Sequence, residues 1–149
     1  MSFKNEIGKQ VLILDGAMGT MIQDLELDDA AFGGTEFKML SDLLVFSRPD
    51  ELEFIHLKYL QAGANLIETD TFGASPLRLK EFDFTKLDPA DLRAIPENLD
   101  LRNCAVEDLT RHLNMEGCRI ACRAIEKYKT DPDYDGRPLF VAGSIGPSN

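Results

Sequence analysis

The chain has no tryptophan, only two histidines and three cysteines, and no apolar run near the roughly 18 residues that cross a bilayer. Each shortage excludes something. Without a long apolar run there is no membrane-spanning helix to expect, and the start, MSFKNEIGKQ, lacks the apolar core of a signal peptide, so the expected location is cytoplasmic. Three cysteines are an odd number without an export signal, which argues against a disulfide framework and for free thiols. Basic residues are also scarce, 16 against 26 acidic ones, for a net charge of -10, and no basic run carries interleaved aromatics. A nucleic-acid surface is therefore not expected. His56 and His112 read as surface or packing residues, and no Ser, His and Asp set has nucleophile-elbow spacing.

What is present suits one globular domain: 149 residues, 44% hydrophobic and 28% charged. Strand and helix signals alternate along it. VLILD (11–15) is a short apolar run ending at a glycine, the pattern of a strand buried on both faces. SRPDELEFIHLKYLQAG follows as a helix, with Pro49 at its first position, Asp50 and Glu51 at the positive end of the dipole, and Leu52, Ile55, Tyr59 and Ala62 at helical spacing up to Gly63. ANLIETDTF (64–72) reads as a second buried strand, which makes a right-handed parallel crossover. Ser75 and Pro76 open a short helix, and 83–108, with its prolines and many acids, reads as an insertion on the surface. A helical stripe runs from Leu109 to Tyr128, weakened in the middle by Gly117. After the turn TDPDYDG, PLFVAGSIGPSN is a third apolar strand running into Gly143, Gly146 and Pro147. Cys118 and Cys122, four apart on that last helix, can in principle ligate zinc; the plainer reading lines them with Ala121 and Ile125 on its buried side.

Three strands thus end alike, in DGAMGT, ETDTFG and AGSIGPSN, and in parallel α/β folds ligands sit at the carboxyl ends of strands. This gathers Asp15, Glu68, Asp70 and Ser144 at one mouth. Alternation puts Leu66, Glu68 and Asp70 on one side and Ile67, Thr69 and Thr71 on the other, and the charged set needs the polar cavity. Each candidate has a plainer alternative. Asp15 can cap the helix after DGAMGT, and Glu68 and Asp70 can pair with an arginine. Gly16 and Gly19 do not form a GxGxxG loop, and no GK[ST] follows, so a nucleotide cradle is not indicated.

LDGAMGTMIQ, SRPDELEFIHLKYLQAGANLIETDTFGAS and VAGSIGPSN, in that order and near that spacing, resemble the homocysteine-binding barrel family of cobalamin-dependent methionine synthase. The likeness covers most of the chain from about Val11 to Asn149. It implies the amino-terminal part of a (β/α)₈ TIM barrel, here about three parallel strands with helices and the acidic insertion. It also implies homocysteine at the strand ends, its sulfur bound by zinc and attacking a methyl group carried on cobalamin and drawn from methyltetrahydrofolate. In that family Asp15 and Gly16 fall where the amino acid's ammonium and carboxylate are held; Gly19, Thr20 and Ser144 are candidates for the same pocket, as are Glu68 and Asp70. Two departures stand out. The family typically has Asn at the position of Asp70, and its three zinc-binding cysteines lie on later strands, so Cys104, Cys118 and Cys122 do not inherit their role.

A complete barrel takes about 250 residues, so the chain reads as a fragment that holds no zinc, cobalamin or folate by itself. Its expected partners are homocysteine, the remaining barrel strands and the folate and cobalamin domains of the parent protein. Two alternatives remain at this stage: a zinc homocysteine methyltransferase using a betaine or sulfonium donor, and a non-catalytic α/β binding module.

Overall fold

Pro49 fixes the backbone at a helix start, two acids follow it, and Gly63 closes the helix with a φ of +109° that a side chain would resist. The resulting helix sits in a computed structural model that describes residues 2–97 and 99–146. In chain order the helices are α1 (Phe3–Glu6), α2 (Met18–Gln23), α3 (Leu44–Ser47), α4 (Pro49–Gln61), α5 (Pro76–Leu79) and α6 (Val106–Tyr128), and the strands are β1 (Leu66–Glu68) and β2 (Phe140–Ala142). Short 3-10 turns at Asp29–Phe32, Thr35–Phe37, Ser41–Leu43 and Phe84–Lys86 fill the connections. The Ser75 hydroxyl accepts from the Arg78 amide at 3.2 Å, which caps α5 ahead of Pro76 as its sequence predicts.

β1 and β2 pair in parallel, with Leu66 opposite Phe140 and Glu68 opposite Ala142. The segment 11–15 lies along the other edge of β1 but forms only one bridge, Leu14 to Leu66. The expected first strand, buried on both faces, is therefore corrected to an edge segment: Val11 is 86% exposed and Ile13 55%. Its outer side has no neighbour among the described residues, so only one row of its backbone groups is paired. Three bonds hold that row: the Ile13 carbonyl accepts from Asn65 and Leu66, and the Asp15 amide donates to the Leu66 carbonyl. Asn65 ties the three segments together, its Oδ1 accepting from the Ile13 amide and its Nδ2 donating to the Pro138 carbonyl. The other two strands are also shorter than their sequence patterns. β1 stops at Glu68 because the chain turns at Thr69 to Thr71, and residues 147–149 of the third stretch lie outside the described residues.

Helices cover one side of the sheet. Ile67 is fully buried among Leu60, Ala121, Ala124 and Ile125, which joins β1 to α4 and α6. Gly117 sits where a Cβ would come within 2.6 Å of the Thr71 methyl, so the glycine that weakens the helix in isolation lets α6 lie against the chain after β1. The buried stripe of α6 is Leu109, Leu113, Gly117, Ile120, Ala121, Ala124, Ile125 and Tyr128. Cys118 and Cys122 are exposed, which corrects their placement on the buried side. Each follows an inward position by one residue, and one residue turns a helix by about 100°, which carries it out of the stripe. The helix also starts at Val106, three residues before the stripe begins, on Glu107 and Asp108 at its dipole's positive end. Within 83–108 the backbone is mostly irregular, yet Leu87, Leu92, Leu99 and Leu101 are buried in the main core. Those leucines anchor the stretch.

Candidate functional site at the strand ends

A cavity of about 400 Å³ opens where the first segment, β1 and β2 end, lined by Asp15 to Gly19, Ser41, Glu68, Thr69, Asp70, Phe72 and Ser144. Parallel pairing brings the strand-end residues together, because each strand delivers its carboxyl end to the same edge, and the 3-10 turn at Ser41–Leu43 adds Ser41. Of the sequence-predicted site residues, Asp15, Gly16, Gly19, Glu68, Asp70 and Ser144 line it. Thr20 does not. It is exposed on α2, which begins at Met18 and turns successive side chains away from the mouth.

Asp15 does not cap the next helix; the residue before α2 is Ala17, and it makes no side-chain cap bond. Instead Asp15 Oδ2 accepts from the Glu68 amide at 3.0 Å, across the gap between the first segment and β1. Its Oδ1 is buried with no hydrogen-bond partner among the described residues. Burial pushes the Asp15 carboxyl up to about 6; the charge of Glu68 adds to this, and the Glu68 amide opposes it. The turn after it is held by Tyr59, whose hydroxyl donates to the Ala17 carbonyl at 3.3 Å and whose ring lies 3.4 Å from where a Gly16 Cβ would be. A methyl at Gly16 would rest in ordinary contact with that ring.

Asp70 lies deeper, 6% exposed. Its Oδ1 accepts from the Ser41 hydroxyl at 3.1 Å, and its Oδ2 is buried without a partner among the described residues. Burial is the main cause that pushes its carboxyl up to about 7, and the nearby Asp42 carboxylate adds to it. Asp42 is itself buried, accepts from the Gly73 amide at 2.9 Å, and is pushed up to about 6 by burial. The arginine partner considered for Asp70 is thus a serine hydroxyl. The threonines are satisfied, although Thr69, expected on the far side, also lines the cavity: Thr69 and Thr71 share a hydrogen bond of 2.7 Å, Thr69 accepts from the Ser144 amide, and Thr71 donates to the Ser144 carbonyl. A second hollow of about 470 Å³, holding Asp42 and Arg78, adjoins the cavity at Ser41 and Phe72.

Ser41, Tyr59 and Phe72 were not legible as site residues. Ser41 stands in a stretch with no motif, and Tyr59 follows the helical period of α4, so packing accounts for it in the sequence. His56, read as a surface or packing residue, is fully buried on α4 with neither ring nitrogen hydrogen-bonded, and burial pushes its ring down to about 4, so it stays neutral.

Chemically, the cavity offers two buried acceptor oxygens and a further carboxylate, with no Lys, Arg or His among its described lining residues. It suits a small ligand bearing a cationic group. Metal chemistry does not fit these residues: no group of three His, Cys, Asp or Glu among the described residues could hold an ion. Cys118 and Cys122, on the exposed side of α6, are not among the cavity's lining residues. No helix among the described residues is long and apolar enough to cross a membrane.

Two parallel strands covered by helices, with a polar cavity at their carboxyl ends, define a protein of the α/β class. Within that class the chain belongs to the homocysteine S-methyltransferase family, whose sequence pattern matches residues 12–149. It is 35% identical over 141 residues to methionine synthase of Mycobacterium leprae (strain TN), covering 95% of this chain and 9% of that protein. Among solved structures it resembles the homocysteine methyltransferase MmuM of Escherichia coli. The metallated form superposes with a TM-score of 0.66 at 24% identity, covering 97% of this chain and 41% of that one. For the oxidized form the values are 0.65, 25%, 95% and 39%. The chain therefore spans less than half the length of each of these relatives.

Proposed function

We propose that these residues form the homocysteine-holding side of a (β/α)₈ barrel in a cytoplasmic methyltransferase of the methionine synthase type. The segment 11–15, β1 and β2 stand as its first three strands, and 83–108 as an insertion between helices. The observation that carries the reading is Asp15 Oδ1, a buried carboxylate oxygen with no partner among the described residues, on a side chain that lines a cavity with no Lys, Arg or His among its described lining residues. An amino acid's ammonium supplies the missing partner. Gly16 and Gly19 leave backbone open beside it for the carboxylate, and Glu68 and Ser144 complete the pocket.

In this reading the chain's own residues bind and orient; they hold the amino-acid end so that the thiol points toward the rest of the protein. The whole enzyme's zinc, cobalamin and methyltetrahydrofolate would supply thiolate activation and the methyl group. The described residues offer no set of ligands for a metal.

Calorimetric titration of homocysteine into the complete barrel-containing protein tests the reading. Asp15→Asn keeps an acceptor for the Glu68 amide and removes the charge, so it isolates the ammonium contact. Affinity should fall by about 1.5 to 3 kcal/mol, the scale of a charge-assisted bond. Unchanged affinity would remove Asp15 from the site.

A further inference from the structure

Asp70 carries an oxygen that nothing in the cavity satisfies as an acceptor. Its Oδ1 is used by Ser41, while Oδ2 is buried and unpartnered in a cavity wall. The charge that acts on it is of its own sign, Asp42 from the Ser41–Leu43 turn, and the other titratable residues that line its cavity, Asp15 and Glu68, are acidic too; Arg78 of α5 acts on Asp42. A buried carboxylate so surrounded holds its proton, and burial with the charge of Asp42 pushes its carboxyl up to about 7. A protonated carboxyl is a hydrogen-bond donor.

An amino acid whose ammonium sits on Asp15 has its carboxylate one carbon away. That carboxylate needs donors, and the side chains lining the cavity supply few. Ser41 donates to Asp70, Thr69 is engaged with Thr71 and the Ser144 amide, and no basic side chain lines the wall. We propose that Asp70 works as a neutral acid, donating from Oδ2 to the carboxylate of the amino acid whose ammonium Asp15 holds, and that it thereby makes binding depend on pH. This rests on the reading of the cavity as an amino-acid site. It assigns Asp70 a role in specificity: ligands with a carboxylate are accepted, and their amides or decarboxylated amines lose a contact.

Homocysteine titrations of the complete barrel-containing protein from about pH 6 to about pH 9, with Asp70→Asn and Asp42→Asn beside the unmodified protein, test it. One linked proton predicts that Kd rises up to about tenfold per pH unit once Asp70 ionises. Asp70→Asn, a permanent donor, should bind at least as well at pH 6 and lose that rise, since the titrations of homocysteine and Asp15 are common to both proteins. Asp42→Asn removes the charge that adds to burial in holding the proton, so the rise should begin at somewhat lower pH. In the ligand-free protein, the carbon-13 carboxyl resonance that Asp70→Asn deletes should titrate near neutrality; ionisation in the ordinary carboxylate range overturns the inference. So does an Asp70→Asn protein that is weaker at every pH, because Asp70 then acts as a carboxylate toward the ammonium, or one whose pH profile is unchanged. Absence of homocysteine binding in all three proteins instead removes the amino-acid reading beneath it.

Discussion

The two sides of the short sheet are built to opposite rules. On the helix side, Ile67 is fully enclosed, and the threonines that follow it have their hydroxyls bonded to each other and to the Ser144 backbone. On the open side, Leu14 is 48% exposed, and Asp15 and Asp70 each bury an oxygen without a partner. Buried polar groups normally find partners; the ring of His56 on α4 has none among the described residues either, but it is neutral and enclosed, whereas the two carboxylate oxygens belong to side chains that line one cavity, where a ligand can complete them. The difference teaches where stability and function reside: the helix side holds the chain together, and the open side keeps acceptors unsatisfied at a cost in stability.

If that division is right, damage should sort by side. The largest effect is expected from Ile67→Ala, which empties the junction of β1, α4 and α6 and should destabilise the protein by about 2 to 5 kcal/mol, read as a lowered denaturant midpoint. Next comes Gly117→Ala. In an exposed helix this change would stabilise, but here the new methyl would meet Thr71 at 2.6 Å, and a loss of about 1 to 3 kcal/mol is expected as α6 is pushed away. A Gly117→Ala protein more stable than the original would show that the helix side is loosely packed and would break the contrast. Asp15→Asn, by comparison, removes a carboxyl that burial pushes up to about 6, so it should not destabilise the protein and should raise its stability modestly above that pH, while ligand affinity falls.

The same contrast explains what could be read from the sequence. Helices α4 and α5 were legible to within a residue or two, because Pro49, Gly63, Ser75 and Pro76 carry their boundaries locally. The parallel order was legible too, from strand and helix alternation. The first strand was not: VLILD has the composition of an enclosed strand, but enclosure depends on neighbours, and among the described residues its outer edge has none. Alternation in LIETDT holds for Ile67, which is buried against the helices, and for Glu68 and Asp70, which line the cavity, but Thr69, expected on the far side, lines the cavity too, because the strand ends at Glu68 and the chain turns there. Asp42 and Ser41 were invisible as site neighbours because their relation to Asp70 spans about thirty residues that include α3, α4 and β1, and no spacing rule reaches across that. The cysteines failed for a smaller reason, a rotation of one position on α6.

The smallest expected effect sharpens the comparison most, because its sign depends on pH. Asp70 has its carboxyl raised from 3.8 to about 7 in the folded protein by burial and by Asp42. Below about pH 4 the group is protonated in both folded and unfolded chains and costs nothing. Between there and about 7 the unfolded chain releases the proton and the folded one keeps it, so the unfolded state binds fewer protons and stability falls as pH rises. Asp70→Asn removes that dependence, though it buries an amide whose second donor lacks a fixed partner. Its net effect should therefore be slightly destabilising at pH 5 and stabilising by on the order of 1 kcal/mol at pH 8, measured as a crossing of the two proteins' thermal midpoints between those values. Parallel pH profiles for the two would mean that Asp70 is ionised throughout, with its unpartnered oxygen tolerated as a charge. The open side would then be polarised for cations alone, and a neutral acid would have no place in it.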